Sequence, residues 1–261
     1  MVDDAVRAAL QELTELAPLH NAPALAALDD ARRAIPDVPH VAVFDTAFHA
    51  TMPDEASVYA VPRHWRESGI RRYGFHGLSV QWAAEQVRVP RLVVCHLGGG
   101  CSVTAVLEGR SVDTTMGFSP LEGVPMATRS GTIDAEIVLH LLRTGLSSAA
   151  EIEETLEHES GLLGLSGLSA RVEELEASAE PAAAFALAVF ARRIAQAVAV
   201  CAVALGGIDA IVFTGGVGER SERIRAGVCA RLGFLGDFRV EVVQAREDVV
   251  AARAAREFRS L

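Results

Sequence analysis

The sequence has 261 residues, half of them hydrophobic, so it is long enough to bury one large core or two modest ones. Its formal net charge of −10 and its aromatic content of 5% argue against a nucleic-acid-binding surface, which needs a basic face and stacking side chains. All 24 basic side chains are arginine, which excludes from this chain any chemistry that needs a Schiff-base or phosphate-loop lysine.

The location of the protein and the state of its cysteines are predicted from local composition. The N-terminus, Met1-Val2-Asp3-Asp4, is acidic and lacks a secretory hydrophobic region, which predicts a cytoplasmic protein. The longest apolar segment, near 185–205, is interrupted by Arg192, Arg193 and Gln196, so we expect a buried helix and no membrane span. Four cysteines lie in apolar runs without metal-ligand spacing and are expected to be reduced core residues: Cys95, Cys101, Cys201 and Cys229.

The first part of the chain predicts two helices and a strand. Apolar residues recur at helical spacing over 2–16, before Pro18, and again over 22–34, before Pro36. The apolar run 41–44 predicts a buried strand that ends at Asp45. In α/β proteins the carboxyl end of such a strand faces the ligand crevice.

The remainder predicts a mixed sheet with helices packed on it. Strand patterns lie at 91–96, 101–107, 110–115, 210–214 and 238–243. Helical patterns lie at 79–87, 133–142, 148–157, 181–205, 221–232 and 248–259. The first three strands form a meander because only short turns separate them.

Two glycine-rich segments directly follow predicted strands. Between two strands, the turn 96–100 allows backbone N–H groups to approach a phosphate, because no Cβ intervenes. Before a helix, the loop 215–219 is suited to seat a nucleotide at the helix N-terminus. Either segment alone is explained as well by a tight hairpin or an ordinary turn, and the two together favour a nucleotide site.

Three polar residues stand in apolar or glycine-flanked contexts. His76 lies between Phe75 and Gly77, Arg129 is flanked by small residues, and Asp45 ends the predicted strand. His76 is a candidate for ligand contact or is a core histidine. Arg129 either reaches into a site with its guanidinium fork or forms a surface salt bridge. Asp45 either has an acid–base or magnesium–water role or caps a helix.

Eight ordered strings resemble the acetate kinase family, and together they cover nearly the whole chain. They are LAPLHN (16–21), VFDTAFH (43–49), IRRYGFHG (70–77), CHLGGG (95–100), DTTMGFSPLEG (113–123), TRSG (128–131), SGLLG (160–164) and FTGGVGE (213–219). The resemblance implies an α/β protein of the actin-like, sugar-kinase-like (ribonuclease H-like) fold. It also implies phosphoryl transfer from ATP to acetate or another short carboxylate, with Mg²⁺, giving ADP and an acyl phosphate.

The resemblance also implies a domain organisation and a set of partners. Residues 1–49 would be the remnant of a first lobe, 50–245 a complete C-terminal nucleotide-binding lobe, and 246–261 a helix returning to the first lobe. The expected partners are the nucleotide, the carboxylate and a second copy of the chain in a homodimer. Neither a nucleic acid nor a membrane is expected as a partner.

The site residues carry over by position from the same strings. The resemblance makes Asp45 the acidic active-site residue, lets His76 and Arg129 stabilise the transferring phosphoryl group, and puts His20 nearby in the cleft. Contacts to the nucleotide phosphates are implied for His96, Leu97, Gly98, Gly99 and Gly100. The adenosine pocket would be lined by Gly216, Val217, Gly218, Glu219 and Arg220. Glu247 falls where the family keeps a glutamate associated with Mg²⁺.

Departures from the family pattern shape the functional expectation. The family's opening strand, its serine-rich turn with a lysine and its carboxylate-binding arginine have no match in this sequence, so we expect a fragment with weak or no activity. The alternative is a non-catalytic protein that binds nucleotide or a partner subunit. Arg220 replaces an asparagine and the segment 168–172 is shortened, so the nucleotide preference stays open, as does the choice among acetate, propionate and butyrate.

Overall fold

The computed structural model describes residues 1–12 and 18–257. Within the helix that begins at Pro18, the side chains of residues 18–21 lie outside the described part. The predicted site residue His20 is one of these, so its role stays a prediction.

A five-stranded mixed sheet forms the centre of the molecule, in the order β3-β2-β1-β4-β5. Its strands are β1 Arg91–Leu97, β2 Cys101–Leu107, β3 Arg110–Thr114, β4 Ala210–Thr214 and β5 Arg239–Val242. The first three pair antiparallel as a meander, whereas β4 and β5 run parallel to β1. The predicted meander and mixed sheet are therefore confirmed.

Thirteen α-helices surround this sheet within the described ranges. They are α1 Asp4–Glu12, α2 Pro18–Ala34, α3 Asp54–Ser57, α4 Arg63–Glu67, α5 Gly77–Gln86, α6 Ala135–Thr144, α7 Ala149–Glu154, α8 Gly161–Ser166, α9 Val172–Ala177, α10 Pro181–Leu205, α11 Gly215–Arg220, α12 Glu222–Cys229 and α13 Glu247–Glu257. Short 3₁₀ segments lie at Ala47–Thr51 and Gly233–Leu235, and a π-helical turn lies at Thr155–Glu159.

Helices cover both faces of the sheet. The long helix α10 packs on one face, where its buried side chains join the main core with Phe213 of β4. By length and composition α10 would suffice to cross a membrane, but 56% of its most apolar window is buried inside the protein. The expectation of a buried helix is thus confirmed. On the opposite face α5 packs over Leu92 and Val94 of β1.

The predicted strand at 41–44 is not formed, so that prediction was wrong. These residues have no regular secondary structure, they are only partly buried, and Phe44 is 49% exposed. A strand needs a neighbour for its backbone N–H and C=O groups, and no strand in the described ranges pairs with this segment. Asp45 consequently lies in a turn just before the 3₁₀ segment Ala47–Thr51.

Two further local predictions need correction, and one is confirmed. The glycine segment 215–219 is not a loop, because helix α11 starts immediately after β4 with Thr214 at its N-cap. The helix expected over 148–157 changes to a π-helical turn at Thr155. All four cysteines are free thiols, and three of them are buried.

Candidate active site

The candidate site lies where the carboxyl ends of the parallel strands β1 and β4 meet. His96 of β1 is in register with Thr214 of β4; a glycine turn follows β1, whereas the glycine-rich start of helix α11 follows β4. A Cβ atom at Gly98 would lie 3.8 Å from His96 Nε2, and one at Gly215 would lie 3.2 Å from it. The Nε2 edge of His96 therefore lies between the glycine turn 98–100 and the first residue of α11.

His76 brings a second imidazole onto His96. The two rings stack with centroids 4.0 Å apart and an interplanar angle of 24°. His76 is the N-cap of α5 and has a left-handed backbone conformation with φ of 60°, which is uncommon for a residue with a side chain. Such strain persists only when surrounding contacts fix it, and it is frequent at functional sites.

Asp45 fixes the start of α5 in that conformation. Its Oδ2 accepts a 2.6 Å hydrogen bond from the backbone N–H of His76, and its carbonyl oxygen accepts one of 2.8 Å from Gly77 N–H. A Cβ atom at Gly77 would lie 2.2 Å from that carbonyl oxygen, so a glycine is needed there for the close approach. Asp45 thus acts as a cap for α5 in this conformation, which is one of the alternatives that the sequence left open.

Each of three histidines has its Nδ1 atom against a serine hydroxyl. The Nδ1–Oγ distances are 2.9 Å for His49 and Ser111, 3.0 Å for His76 and Ser102, and 2.8 Å for His96 and Ser79. Ser79, Ser102 and Ser111 are all buried. These serines were not among the residues predicted for the site, because no local pattern distinguishes them from other buried small residues.

The environment of His96 keeps its ring uncharged near neutral pH. Burial, and then repulsion from the neighbouring His76, lower the pKa of His96 to about 3, although the Asp45 carboxylate acts in the opposite direction. An uncharged imidazole has one donor and one acceptor nitrogen, so His96 offers the site hydrogen bonding and no positive charge.

Arg129 supplies the positive charge on the other side of the turn. A Cβ atom at Gly100 would lie 3.1 Å from His76 Nε2 and 3.5 Å from Arg129 Nη1, so both side chains converge on this glycine. Arg129 Nε forms a 3.0 Å ion pair with Oε2 of Glu157, and both side chains are mostly buried. Glu157 lies in the π-helical turn, far along the chain from Arg129, so no local sequence pattern joins the two residues.

Glu247 lies at the start of α13, close enough to Asp45 for their charges to interact. Although Glu247 is an exposed residue, partial desolvation, followed by the Asp45 carboxylate, raises its pKa. Among the described residues no three His, Cys, Asp or Glu side chains cluster as a metal site. Two carboxylates that repel each other nevertheless suit a divalent cation bound partly through water or substrate oxygens.

The segment predicted to bind adenosine forms α11 and contacts two other parts of the chain. Glu219 Oε1 accepts a 3.0 Å hydrogen bond from the backbone of Ala245, which holds the segment leading to Glu247. Arg220 bonds to Glu173 of α9 at 3.0 Å, and its guanidinium lies over Gly216. The site therefore brings together the glycine turn at 98–100, the two stacked histidines and Arg129, and α11 begins beside them.

Similarity to known proteins identifies first the fold class of this chain and then its family. A propionate kinase structure from Francisella tularensis superposes with a TM-score of 0.92 at 34% identity, covering 97% of this chain and 73% of that one. The fold is therefore the α/β, actin-like and sugar-kinase-like fold of these kinases. The Acetokinase family profile matches residues 1–256, and the chain belongs to that family.

Curated relatives are similar over most of this chain. An acetate kinase of Deinococcus deserti is 49% identical over 92% of this chain and 63% of its own length. An acetate kinase of Nostoc punctiforme is 43% identical over 90% of this chain and 61% of its own length. This chain therefore spans about three fifths of the length of these relatives.

Proposed function

We propose that this protein carries the nucleotide-binding and phosphoryl-transfer half of an acetate-kinase-type phosphotransferase. The reaction would be ATP plus acetate, or another short carboxylate, giving ADP and the acyl phosphate. The observation that carries the proposal is the convergence of His76 and Arg129 on Gly100, beside the uncharged ring of His96. Relatives named acetate kinase and propionate kinase support the substrate class and leave the particular acid open.

The chemistry of phosphoryl transfer fits these groups. The transferring phosphoryl group spreads negative charge over its equatorial oxygens, so catalysis depends on positioning and charge neutralisation more than on covalent help. Arg129 is always protonated, and its ion pair with Glu157 holds the guanidinium beside the glycine turn. His76 would donate a hydrogen bond to the same oxygens, and Asp45 fixes His76 through its backbone N–H.

The other predicted residues complete this proposal. His96, Leu97, Gly98, Gly99 and Gly100 would contact the nucleotide phosphates, and residues 216–220 would line the adenosine pocket, with Arg220 influencing the base preference. Glu247 would help to hold Mg²⁺, which neutralises phosphate charge when bound. His20 would lie nearby in the cleft, and a cytoplasmic homodimer is the expected form.

The isolated chain is proposed to have weak or no activity. This part of the proposal is supported by the family's opening strand, serine-rich turn and carboxylate-binding arginine, which have no match in this sequence. The segment 41–44, which has no regular secondary structure and has Phe44 exposed, favours a second candidate function as a nucleotide-binding or subunit-interaction protein without catalysis.

One pair of measurements separates these functions. Acyl phosphate is trapped with hydroxylamine after residues 1–261 are incubated with MgATP and acetate, and ADP binding is measured by calorimetry. We expect ADP to bind and little acyl phosphate to form. Robust turnover would contradict the weak activity, whereas the absence of ADP binding would contradict the nucleotide site itself.

A further inference from the structure

The hydroxyl group of Ser79 makes one hydrogen bond within the described part of the chain. Ser79 lies in the first turns of α5 and is fully buried, and its one hydrogen bond within the described residues joins Oγ to His96 Nδ1 at 2.8 Å. A buried hydroxyl proton without an acceptor costs about 1–3 kcal/mol. Ser79 therefore donates, and Nδ1 of His96 accepts.

The direction of this bond fixes the tautomer of His96. With Nδ1 as the acceptor, the single proton of an uncharged imidazole must be on Nε2. Nε2 is the atom that lies between Gly98 and Gly215. His96 therefore presents a neutral N–H donor to the space between the glycine turn 98–100 and the start of α11.

His49 supports the same assignment elsewhere in the molecule. Its Nε2 lies 2.9 Å from the carbonyl oxygen of Phe75, which can only accept, so that nitrogen carries the proton. Its Nδ1 then accepts from the Ser111 hydroxyl at 2.9 Å. At His49, where a carbonyl oxygen fixes the tautomer, a serine hydroxyl against Nδ1 thus accompanies a protonated Nε2.

Thr214 gives a second indication that a ligand belongs at this place. It is in register with His96 on the neighbouring parallel strand, so the two side chains share one face of the sheet. Its Oγ1 is buried and has no hydrogen-bond partner within the described residues. A buried hydroxyl without a partner is uncommon in folded proteins and is explained by an absent ligand or water.

We propose that Ser79 is a positioning residue, whose hydroxyl holds His96 in the uncharged tautomer that directs Nε2–H toward an anionic oxygen between the glycine turn 98–100 and the start of α11. The inference rests on the proposed function, because it assigns that oxygen to a nucleotide phosphate. A neutral donor suits this position, because a charged ring would be buried and stacked directly on the His76 ring. Ser79 itself does not touch the ligand.

The test is nitrogen NMR of the whole chain labelled with ¹⁵N-histidine. His96→Gln identifies the His96 signals by their loss. In the wild type we expect Nε2 to carry the proton and Nδ1 to give an unprotonated signal displaced by an accepted hydrogen bond. Ser79→Ala should abolish that displacement, and Ser79→Thr, which keeps the hydroxyl, should retain it. Ser102→Ala is the matched control, because it should change the His76 signals and leave Nδ1 of His96 unchanged.

A wild-type Nδ1 that carries the proton overturns the proposal, even if Ser79→Ala does not fold. So does an Nδ1 signal that is the same in Ser79→Ala as in the wild type. ADP is then added, with adenosine as the control. ADP should shift the Nε2–H resonance and adenosine should not, and ADP that binds without this shift contradicts the donor role. Failure of ADP to bind contradicts the proposed function, and the wild-type and Ser79→Ala spectra still decide the role of Ser79.

Discussion

The rings of His76 and His96 stack on each other with their centroids 4.0 Å apart. The two residues come from different elements, the N-cap of α5 and the end of β1, and each ring is anchored at Nδ1 by a buried serine. Two cationic imidazoles at this distance would repel each other, so the arrangement requires that at least one ring stays uncharged. His96 is that ring, since its pKa lies at about 3.

Stability should fall in acid because of His96. The pKa of its ring is about 3 in the folded protein, against 6.5 for an unperturbed histidine, so between these values only the unfolded chain takes up the proton. The free energy of unfolding should therefore fall as the pH drops below about 6.5, by up to about 1.4 kcal/mol per pH unit from this residue. Urea unfolding at pH values from 7 to 4 measures this decrease. The free energy of unfolding should depend less steeply on pH in His96→Gln than in the wild type, whereas His64→Gln, an exposed control, should behave like the wild type. An equal pH dependence in all three proteins would contradict the burial of a neutral His96.

Arg129 and Glu157 should make a coupled contribution to the free energy of unfolding. Arg129→Ala leaves a mostly buried carboxylate without this partner, which should cost about 1–3 kcal/mol. Glu157→Ala should cost a similar amount, and the double variant should cost less than the sum of the two. A double-mutant cycle by denaturant unfolding measures the coupling. The exposed pair Arg143 and Glu136 is the control, with an expected coupling below about 1 kcal/mol. Equal couplings for both pairs would exclude the proposed anchoring of Arg129.

Gly77→Ala should destabilise the start of α5. The added Cβ would lie 2.2 Å from the backbone oxygen of Asp45, and backbone atoms cannot move aside cheaply, so we expect a loss of about 1–3 kcal/mol. Gly233→Ala is the matched control, since a Cβ there has nothing within 4 Å and the backbone φ is not positive. Thermal unfolding of both variants gives the comparison. A Gly77→Ala protein as stable as Gly233→Ala would show that Asp45 and α5 are not in such close contact.

Arg129→Ala should lower turnover far more than nucleotide affinity. Loss of one preorganised group that stabilises transition-state charge costs roughly 100-fold to 1,000-fold in rate. The rate of acyl-phosphate formation is compared in a version of this chain to which the family's opening strand and serine-rich turn have been added, with ADP affinity measured in parallel by calorimetry. Arg143→Ala, which removes an exposed arginine on α6, should leave both quantities unchanged. An unchanged rate in Arg129→Ala would remove Arg129 from the proposed site.

Local sequence patterns predicted much of the fold and part of the site. The three meander strands, β4 and the 25-residue helix α10 were all predicted, because their apolar patterns are long and their turns carry glycine. The predicted strand at 41–44 failed because strand formation depends on a neighbouring strand, which the apolar pattern of the segment itself cannot reveal. Glu157 and Ser79 were missed for the same reason, since their partners are 28 and 17 residues away in the chain.

By itself the sequence determined the family, the order of the strands along the chain and the presence of His76, His96 and Arg129 in glycine-flanked strings. The tertiary structure alone decided that the two imidazoles stack, that Arg129 is anchored by Glu157 and that Ser79 faces Nδ1 of His96. The physical reason is that residue type and spacing encode local conformation, whereas protonation state, tautomer and charge pairing depend on which atoms are brought together from distant parts of the chain.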